Sequence, residues 1–273
     1  MTSPKRPIAY VLASTNHGSM IVNLNDHGKD GLNHSFGVGY QLLGNSAFDP
    51  EEVELALGLL NLRRQNFGAG VFAVDAGANI GVHTIEWARH MSGWGRVMAF
   101  EAQEYVFYAL AGNLALNNCW NASARWTALG EREGFIDVPE PDYLRPGSFG
   151  SLELRHTRDT EFIGQDISYQ KEDCVRTPMV NIDSLALERL DFLKIDVEGM
   201  EIEVLRGARA TLERCKPIVM AEKIKSDEAG LLRFLEALGY GVITEGVGLN
   251  LLAIHGSDPS RNQIRRADDQ PTA

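Results

Sequence analysis

The chain is poor in cysteine, poor in clustered positive charge and without a long apolar run, and each lack closes off a class of function. Its three cysteines, Cys119, Cys174 and Cys215, stand far apart with no metal-ligand spacing. That argues against a disulfide scaffold or a cysteine metal centre and makes a reducing compartment, the cytoplasm, the expectation. No stretch reaches the ~20 apolar residues that a bilayer crossing needs, so no membrane partner is expected. The opening MTSPKRPIAYVLAS has too short an apolar run for a signal-peptide core. Basic residues gather only in small groups, Arg63–Arg64 and Arg261, Arg265 and Arg266, against a formal net charge of -11. Such a surface repels a phosphate backbone, and no nucleic-acid partner is expected. Internal repeats and low-complexity blocks are missing as well. What remains, 44% hydrophobic and 23% charged over 273 residues, is the composition of an ordinary globular protein.

Along the chain, residues 1–48 read as a β-rich extension, with IAYVLAS, SMIVNLN and GYQLLG as strands between turn-rich segments. A helix follows in DPEEVELALGLLNLRRQN. Asp49 is its expected N-cap, Pro50 its first residue and Glu52 the capping-box partner, with Val53, Ala56, Leu57 and Leu60 as the apolar stripe. From residue 71 strands and helices alternate: VFAVD, a helix over 80–91, GRVMAFE, the helix YVFYALAGNLALNN, and ARWTALG. The alternation breaks over about 131–181, a loop-rich insertion with short strands at GFIDVP, FGSLELRH and CVRTPMVNID. It resumes with DFLKIDVE, a helix over 200–213, PIVMAE and SDEAGLLRFLEALG. The closing strands YGVITEG and LNLLAIH are too close in sequence for a parallel crossover, so they form an antiparallel hairpin. The fold class is therefore α/β: a doubly wound, Rossmann-like sheet, mostly parallel, spanning 49–256 and ending in that hairpin. Residues 257–273 are expected to be a disordered tail.

The turn after VFAVD carries Gly77, Asn79 and Gly81. This spacing fits neither the dinucleotide fingerprint nor a phosphate loop, which needs a Lys after its last glycine. Asp75 at the strand end would repel a diphosphate and suits a ligand bearing positive charge. Glu101 closes the next strand twenty residues beyond Gly81. A carboxylate there can accept both hydroxyls of a ribose.

DAGANIG with FEAQ resembles the first two motifs of class I S-adenosylmethionine-dependent methyltransferases. DFLKIDVEGMEIEVLRGARATLERCKPIVMAE is similar to the FkbM-type family of those enzymes, matching its signature at Ile195–Glu201 and Val204–Ala208. The resemblance spans about 71–255. It implies S-adenosylmethionine as cofactor, with Asp75, Gly77, Asn79 and Gly81 along its methionine side and Glu101 on its ribose. It further implies Gln103 near the ribose or adenine, and Ala128 and Leu129 against the adenine ring. The implied reaction is O-methylation of a hydroxyl on a sugar or secondary metabolite, that is, a small-molecule or glycan acceptor. The alternatives are an RNA ribose methyltransferase, which the charge disfavours, and a binding module that keeps the fold without catalysis. A nicotinamide oxidoreductase ranks last because the glycine spacing is wrong. A homo-oligomer is left open.

In DFLKIDVEG the period of two puts Lys194, Asp196 and Glu198 on one face of a strand that should be buried. Lys194 therefore needs a carboxylate partner, for which Asp75 and Glu222 are the candidates. Asp196, Glu198 and His83 are the candidate catalytic bases. A divalent ion such as Mg²⁺ held by Asp196 and Glu222 could acidify the acceptor instead, but no metal is expected. Tyr143, Phe149, Ser151 and His156 in the insertion are expected to shape the acceptor pocket.

Overall fold

The computed structural model describes residues 7–29 and 35–264. The N-terminal segment forms the antiparallel hairpin β1 (Tyr10–Thr15) and β2 (Gly18–Asn23), then the short pair β3 (Gly28–Lys29) and β4 (Ser35–Phe36). The hairpin lies on a later helix, where the Asn113 side chain bridges both backbone groups of Ile21 and the Asn117 side chain bridges those of Ser19. GYQLLG is not a strand. It lies in helix α1 (Val38–Asn45), which buries Val38 and Leu42 as a helical rather than an alternating pair.

Helix α2 (Pro50–Phe67) begins at Pro50 as expected, and Val53, Ala56 and Leu60 are buried with Leu59, whereas Leu57 is only half buried. The capping box does not form. Asp49 makes no cap hydrogen bond and instead accepts from Gln41 Nε2 at 3.2 Å. Glu52 is drawn away into the cleft described below.

The main sheet is built from β5 (Val71–Ala76), α3 (Val82–His90), β6 (Gly95–Glu101), α4 (Glu104–Leu116) and β7 (Ala122–Trp126). ARWTALG splits after Trp126. Its second half, β8 (Ala128–Leu129), joins β9 (Gly134–Pro139) and β10 (Cys174–Val180) in a small sheet of order β8-β10-β9. The main sheet continues with β11 (Phe192–Ile195), α5 (Glu201–Gly207), α6 (Arg209–Cys215), β12 (Ile218–Glu222), α7 (Glu228–Ala237), β13 (Tyr240–Ile243) and β14 (Asn250–His255). Its order is β13-β14-β12-β11-β5-β6-β7, with β14 antiparallel to both neighbours and β5, β6, β7, β11 and β12 mutually parallel. This is the doubly wound sheet with a terminal antiparallel hairpin that the sequence predicts. Its order reverses between β5 and β11, and a crevice opens there at the strands' carboxyl ends.

The sheet's two faces build two cores. Val71, Ala73, Phe192, Ile218 and Met220 face α2, α3 and α4, while Val74, Ala76, Leu193, Ile195 and Val219 face the other helices. Counting by two from Phe192, Lys194 falls on the α2–α3 side, opposite Asp75 in register.

Three further expectations are corrected. FGSLELRH is no strand but a 3₁₀ turn at Phe149–Ser151 and irregular chain, because side chains take its backbone groups. The helix over 200–213 is two helices meeting at Ala208, where a side chain at Gly207 would collide with the Gly130 carbonyl at 2.1 Å. The segment after His255 is ordered through residue 264: Asp258 and Ser260 are buried, and Asp258 pairs with buried Arg63, which also meets Asp191 at 3.3 Å. Residues 265–273 of the expected tail lie outside the described ones. Among the described residues no helix is long and apolar enough to cross a membrane.

Candidate active site

A cleft of about 270 Å³ opens at the carboxyl ends of β5, β6, β11 and β12. Of the expected cofactor residues, Asp75, Gly77, Asn79, Glu101, Gln103, Ala128 and Leu129 all line it. Gly81 does not. It turns the chain into α3 at φ 94°, and its α-carbon faces Leu110, 2.6 Å from where a β-carbon would stand.

Gly77 shows why the turn needs glycine. Its φ is 81°, and a β-carbon would lie 1.7 Å from the Asp196 carbonyl oxygen. The N–H groups of Gly77 and Ala78 both donate to the Phe100 carbonyl, at 3.0 and 2.9 Å, which locks the turn against the end of β6. Asp75 is fully buried. Its Oδ2 accepts from Thr84 Oγ1 at 2.6 Å, while Oδ1 has no partner among the described residues. A buried acceptor without a donor, on a residue that lines the cleft, fits a ligand that brings positive charge.

Glu101 is held in place by backbone donors: Asn79 N–H reaches Oε2 at 2.9 Å and Gln103 N–H reaches Oε1 at 2.8 Å. Burial nonetheless outweighs these bonds and pushes its carboxyl up to about 7. Each oxygen keeps a second lone pair, so two ribose hydroxyls fit. Gln103 spends its side chain on the insertion, donating to the Phe149 carbonyl at 2.8 Å and accepting from Tyr143 Oη at 3.1 Å. Ala128 and Leu129 are buried on the same wall, as β8 rather than as the end of β7.

The catalytic candidates converge by a different route from the one expected. Strand β11 ends at Ile195, so Asp196 and Glu198 are not carried by its alternation. Glu198 takes a left-handed conformation at φ 54° and Gly199 another at φ 94°. Buried Glu201 clamps this turn, accepting from the N–H groups of Val197 at 3.0 Å and Gly199 at 3.2 Å and from the Ser226 hydroxyl. The turn brings carboxylate oxygens of Asp196, Glu198 and Glu222 within 4.8 Å of one another. Burial, and then the Asp196 charge, raise both glutamates, Glu222 to about 8 and Glu198 well above the usual carboxylate range. Two of the three acids already have ammonium partners: Lys194 lies 2.8 Å from Asp196, and Lys225 lies 2.6 Å from Glu198. The trio has donor atoms suited to a divalent ion, yet a metal is not needed to hold it together.

Lys194 is 3% exposed. Of its expected partners, Asp75 faces it across the β5–β11 register and adds its charge, but neither Asp75 nor Glu222 is ion-paired with it. Asp196 and, at 3.9 Å, Glu52 take that place, because period two turns Lys194 toward α2. Burial alone would lower its pKa; the three carboxylates raise it instead. Glu52 also approaches His83 Nε2 at 3.1 Å and accepts from Asn250 Nδ2 at 2.8 Å. Burial raises the Glu52 pKa, but His83, Lys194 and Asn250 together outweigh it and hold the carboxyl down to about 2. The His83 ring lies on the cleft wall; its Nδ1 is buried without a partner, and its Nε2 is not in hydrogen-bonding alignment with Glu52.

Of the insertion residues expected around the acceptor, only Ser151 lines the cleft. Tyr143 packs on Phe149 with ring centroids 4.8 Å apart, and His156 lies against Tyr169 away from the cleft. Glu52, Asn250, Lys225 and Glu201 were not anticipated as parts of the site. Only Glu201 carried a local signal, as the second acid of IDVEGME.

A family model described as the Methyltransferase FkbM domain matches residues 75–242. Methyltransferase sdnD of Sordaria araneosa is 32% identical over 162 residues, covering 52% of this chain and 62% of that protein. Methyltransferase 1 of Beauveria bassiana (strain ARSEF 2860) is 26% identical over 192 residues, covering 64% and 74%. Among solved structures, methyltransferase FkbM from Methylobacillus flagellatus KT aligns with a TM-score of 0.46 at 18% identity, over 71% of this chain and 48% of that one. The chain thus spans less than two thirds of the first relative's length.

Proposed function

This chain belongs to the FkbM methyltransferase family, and we propose that it methylates a hydroxyl of a sugar or secondary metabolite with S-adenosylmethionine as donor. The observation that carries the reading is Glu101: a buried carboxylate, fixed by two backbone donors beside the glycine turn, with lone pairs free toward the cleft. Asp75 would meet the cationic end of the cofactor, Gly77 and Asn79 its methionine side, and Ala128 and Leu129 its adenine. When bound, the cofactor supplies a methyl group already activated by sulfonium charge.

The protein's own task is then alignment and removal of a proton. Asp196 stands at the cleft mouth with one oxygen held by Lys194, which leaves the other for an acceptor hydroxyl. Glu198 is committed to Lys225, so its part is to hold the mouth's shape. His83, paired with Glu52, is the second candidate base. The acid-lined cleft favours an uncharged acceptor over a ribose within an RNA backbone. Calorimetry with S-adenosylmethionine tests the cofactor site. Glu101→Ala should weaken binding by roughly 1.5–3 kcal/mol, the scale of a charged hydrogen bond; unchanged affinity would move the ribose elsewhere.

A further inference from the structure

The outer half of the cleft is built differently from the half assigned to the cofactor. Beyond Asp75 and Glu101, the carboxylates of Asp49, Glu52, Asp196, Glu198 and Glu222 line the wall. Among the described residues the only lysine on that wall is Lys194, buried and already paired, and no arginine is there. Glu222 carries a buried Oε2 without a partner. His83, 6% exposed, lines the same cleft with its buried Nδ1 unpartnered. Both observations point to polar groups supplied from outside the chain. Phe48 and Leu249 line the same cleft, the latter 58% exposed despite its apolar side chain. Phe48, Asp49, Glu52 and Leu249 all fall outside residues 75–242, the span shared with the family. The other four, His83, Asp196, Glu198 and Glu222, fall inside it, so the acceptor side draws equally on the matched domain and on its flanks.

We propose that this outer half is the acceptor subsite, and that it takes a molecule with an apolar body whose polar groups are uncharged or amines, while turning carboxylates and phosphates away. The inference rests on the methyltransferase reading and sharpens it. The apolar body lies between Phe48 and Leu249. Its hydroxyl or amine donates to carboxyl oxygens of the wall, which keep acceptor lone pairs whether ionised or protonated. An anion in the same place would add to the Asp196 repulsion that, after burial, raises Glu198 and Glu222, whereas an ammonium would relieve it.

The test uses the full chain saturated with S-adenosylhomocysteine, followed by four probes on one skeleton: 2-naphthylmethanol, 2-naphthylmethylamine, 2-naphthoate and 2-naphthyl phosphate. Saturation-transfer NMR and calorimetry read their binding. The alcohol and amine should bind on the order of 100-fold more tightly than the two anions, the size of one close like-charge contact at intermediate dielectric. Leu249→Lys places a cation at the exposed rim, where folding is not at stake, and should narrow the gap for naphthoate about tenfold or more. Anions binding as well as the alcohol, none of the four binding, or an unchanged gap in Leu249→Lys each overturns the subsite. Failure of S-adenosylhomocysteine to bind, read before any probe is added, counts against the methyltransferase reading itself.

Discussion

If Glu101 takes the cofactor's ribose as proposed, binding there is linked to a proton. Its carboxyl is pushed up to about 7 by burial, from an ordinary 4.5. Ribose hydroxyls donate hydrogen bonds and so favour the ionised form, which means that binding must expel the proton wherever Glu101 still holds it. With a pKa near 7, about one tenth of the free protein is ionised at pH 6 and about nine tenths at pH 8. Affinity for S-adenosylmethionine should therefore rise about tenfold, or about 1.4 kcal/mol, between those pH values. The effect on folding has the opposite sign. The unfolded chain releases this proton near pH 4.5 and the folded chain near 7, so between them the folded state binds more protons and stability falls as pH rises. The whole drop is about 3 kcal/mol at most. Calorimetry at pH 6, 7 and 8, in paired buffers of different ionisation enthalpy, measures both affinity and protons released. Glu101→Gln keeps the shape, and it should lose this pH slope while retaining any slope from the cofactor's own amine. Affinity flat from pH 6 to 8 in the unmodified protein, or an undiminished slope in Glu101→Gln, would refute the assignment.

Three further substitutions probe the scaffold and the mouth. Gly77→Ala forces a β-carbon to within 1.7 Å of the Asp196 carbonyl at a φ of 81°, so cofactor binding should be lost and the melting temperature lowered, as read by calorimetry and circular dichroism. Lys194→Met leaves Asp196, Glu52 and Asp75 without their shared cation and should cost roughly 3–5 kcal/mol in urea denaturation. Asp196→Asn keeps the fold and the cofactor affinity, while single-turnover methylation of an accepted substrate should fall about 10²-fold or more. Normal turnover there would leave His83 as the base to test.

How much was legible in the sequence depended on how local the determinant is. The turn at Gly77 and the acid at Glu101 belong to strand ends whose spacing is fixed by one β-α-β unit, so both could be placed from residues 71 to 101 alone. The closing hairpin was legible because too few residues separate its strands for any other connection. Helix α1 was misread because GYQLLG is too short for its apolar period to separate helix from strand. FGSLELRH alternates well enough to look extended, yet Asp26, Gln103 and Lys225 satisfy its backbone from three other parts of the chain. No window of sequence contains those partners.

The charged strand shows the limit most clearly. Period two correctly puts Lys194 on a buried face, and burial correctly demands carboxylates around it. Which carboxylates answer depends on the helix that covers that face, and the expected partners at neighbouring strand ends, Asp75 and Glu222, give way to Asp196 and Glu52. Glu52 sits 142 positions before Lys194, in a slot where a capping box explained it locally. The capping box and the cleft compete for one side chain. A capping bond at an exposed helix end is typically worth about 1 kcal/mol. Leaving a buried lysine short of counter-charge costs several times that. The larger penalty decides, so the helix gives up its cap and the site gains an acid. The same comparison explains Asn250, which orients Glu52 from the start of β14, beside the end of β12. Residues that answer a distant buried charge will be misassigned to local roles whenever such a role is on offer, and Glu52 had one.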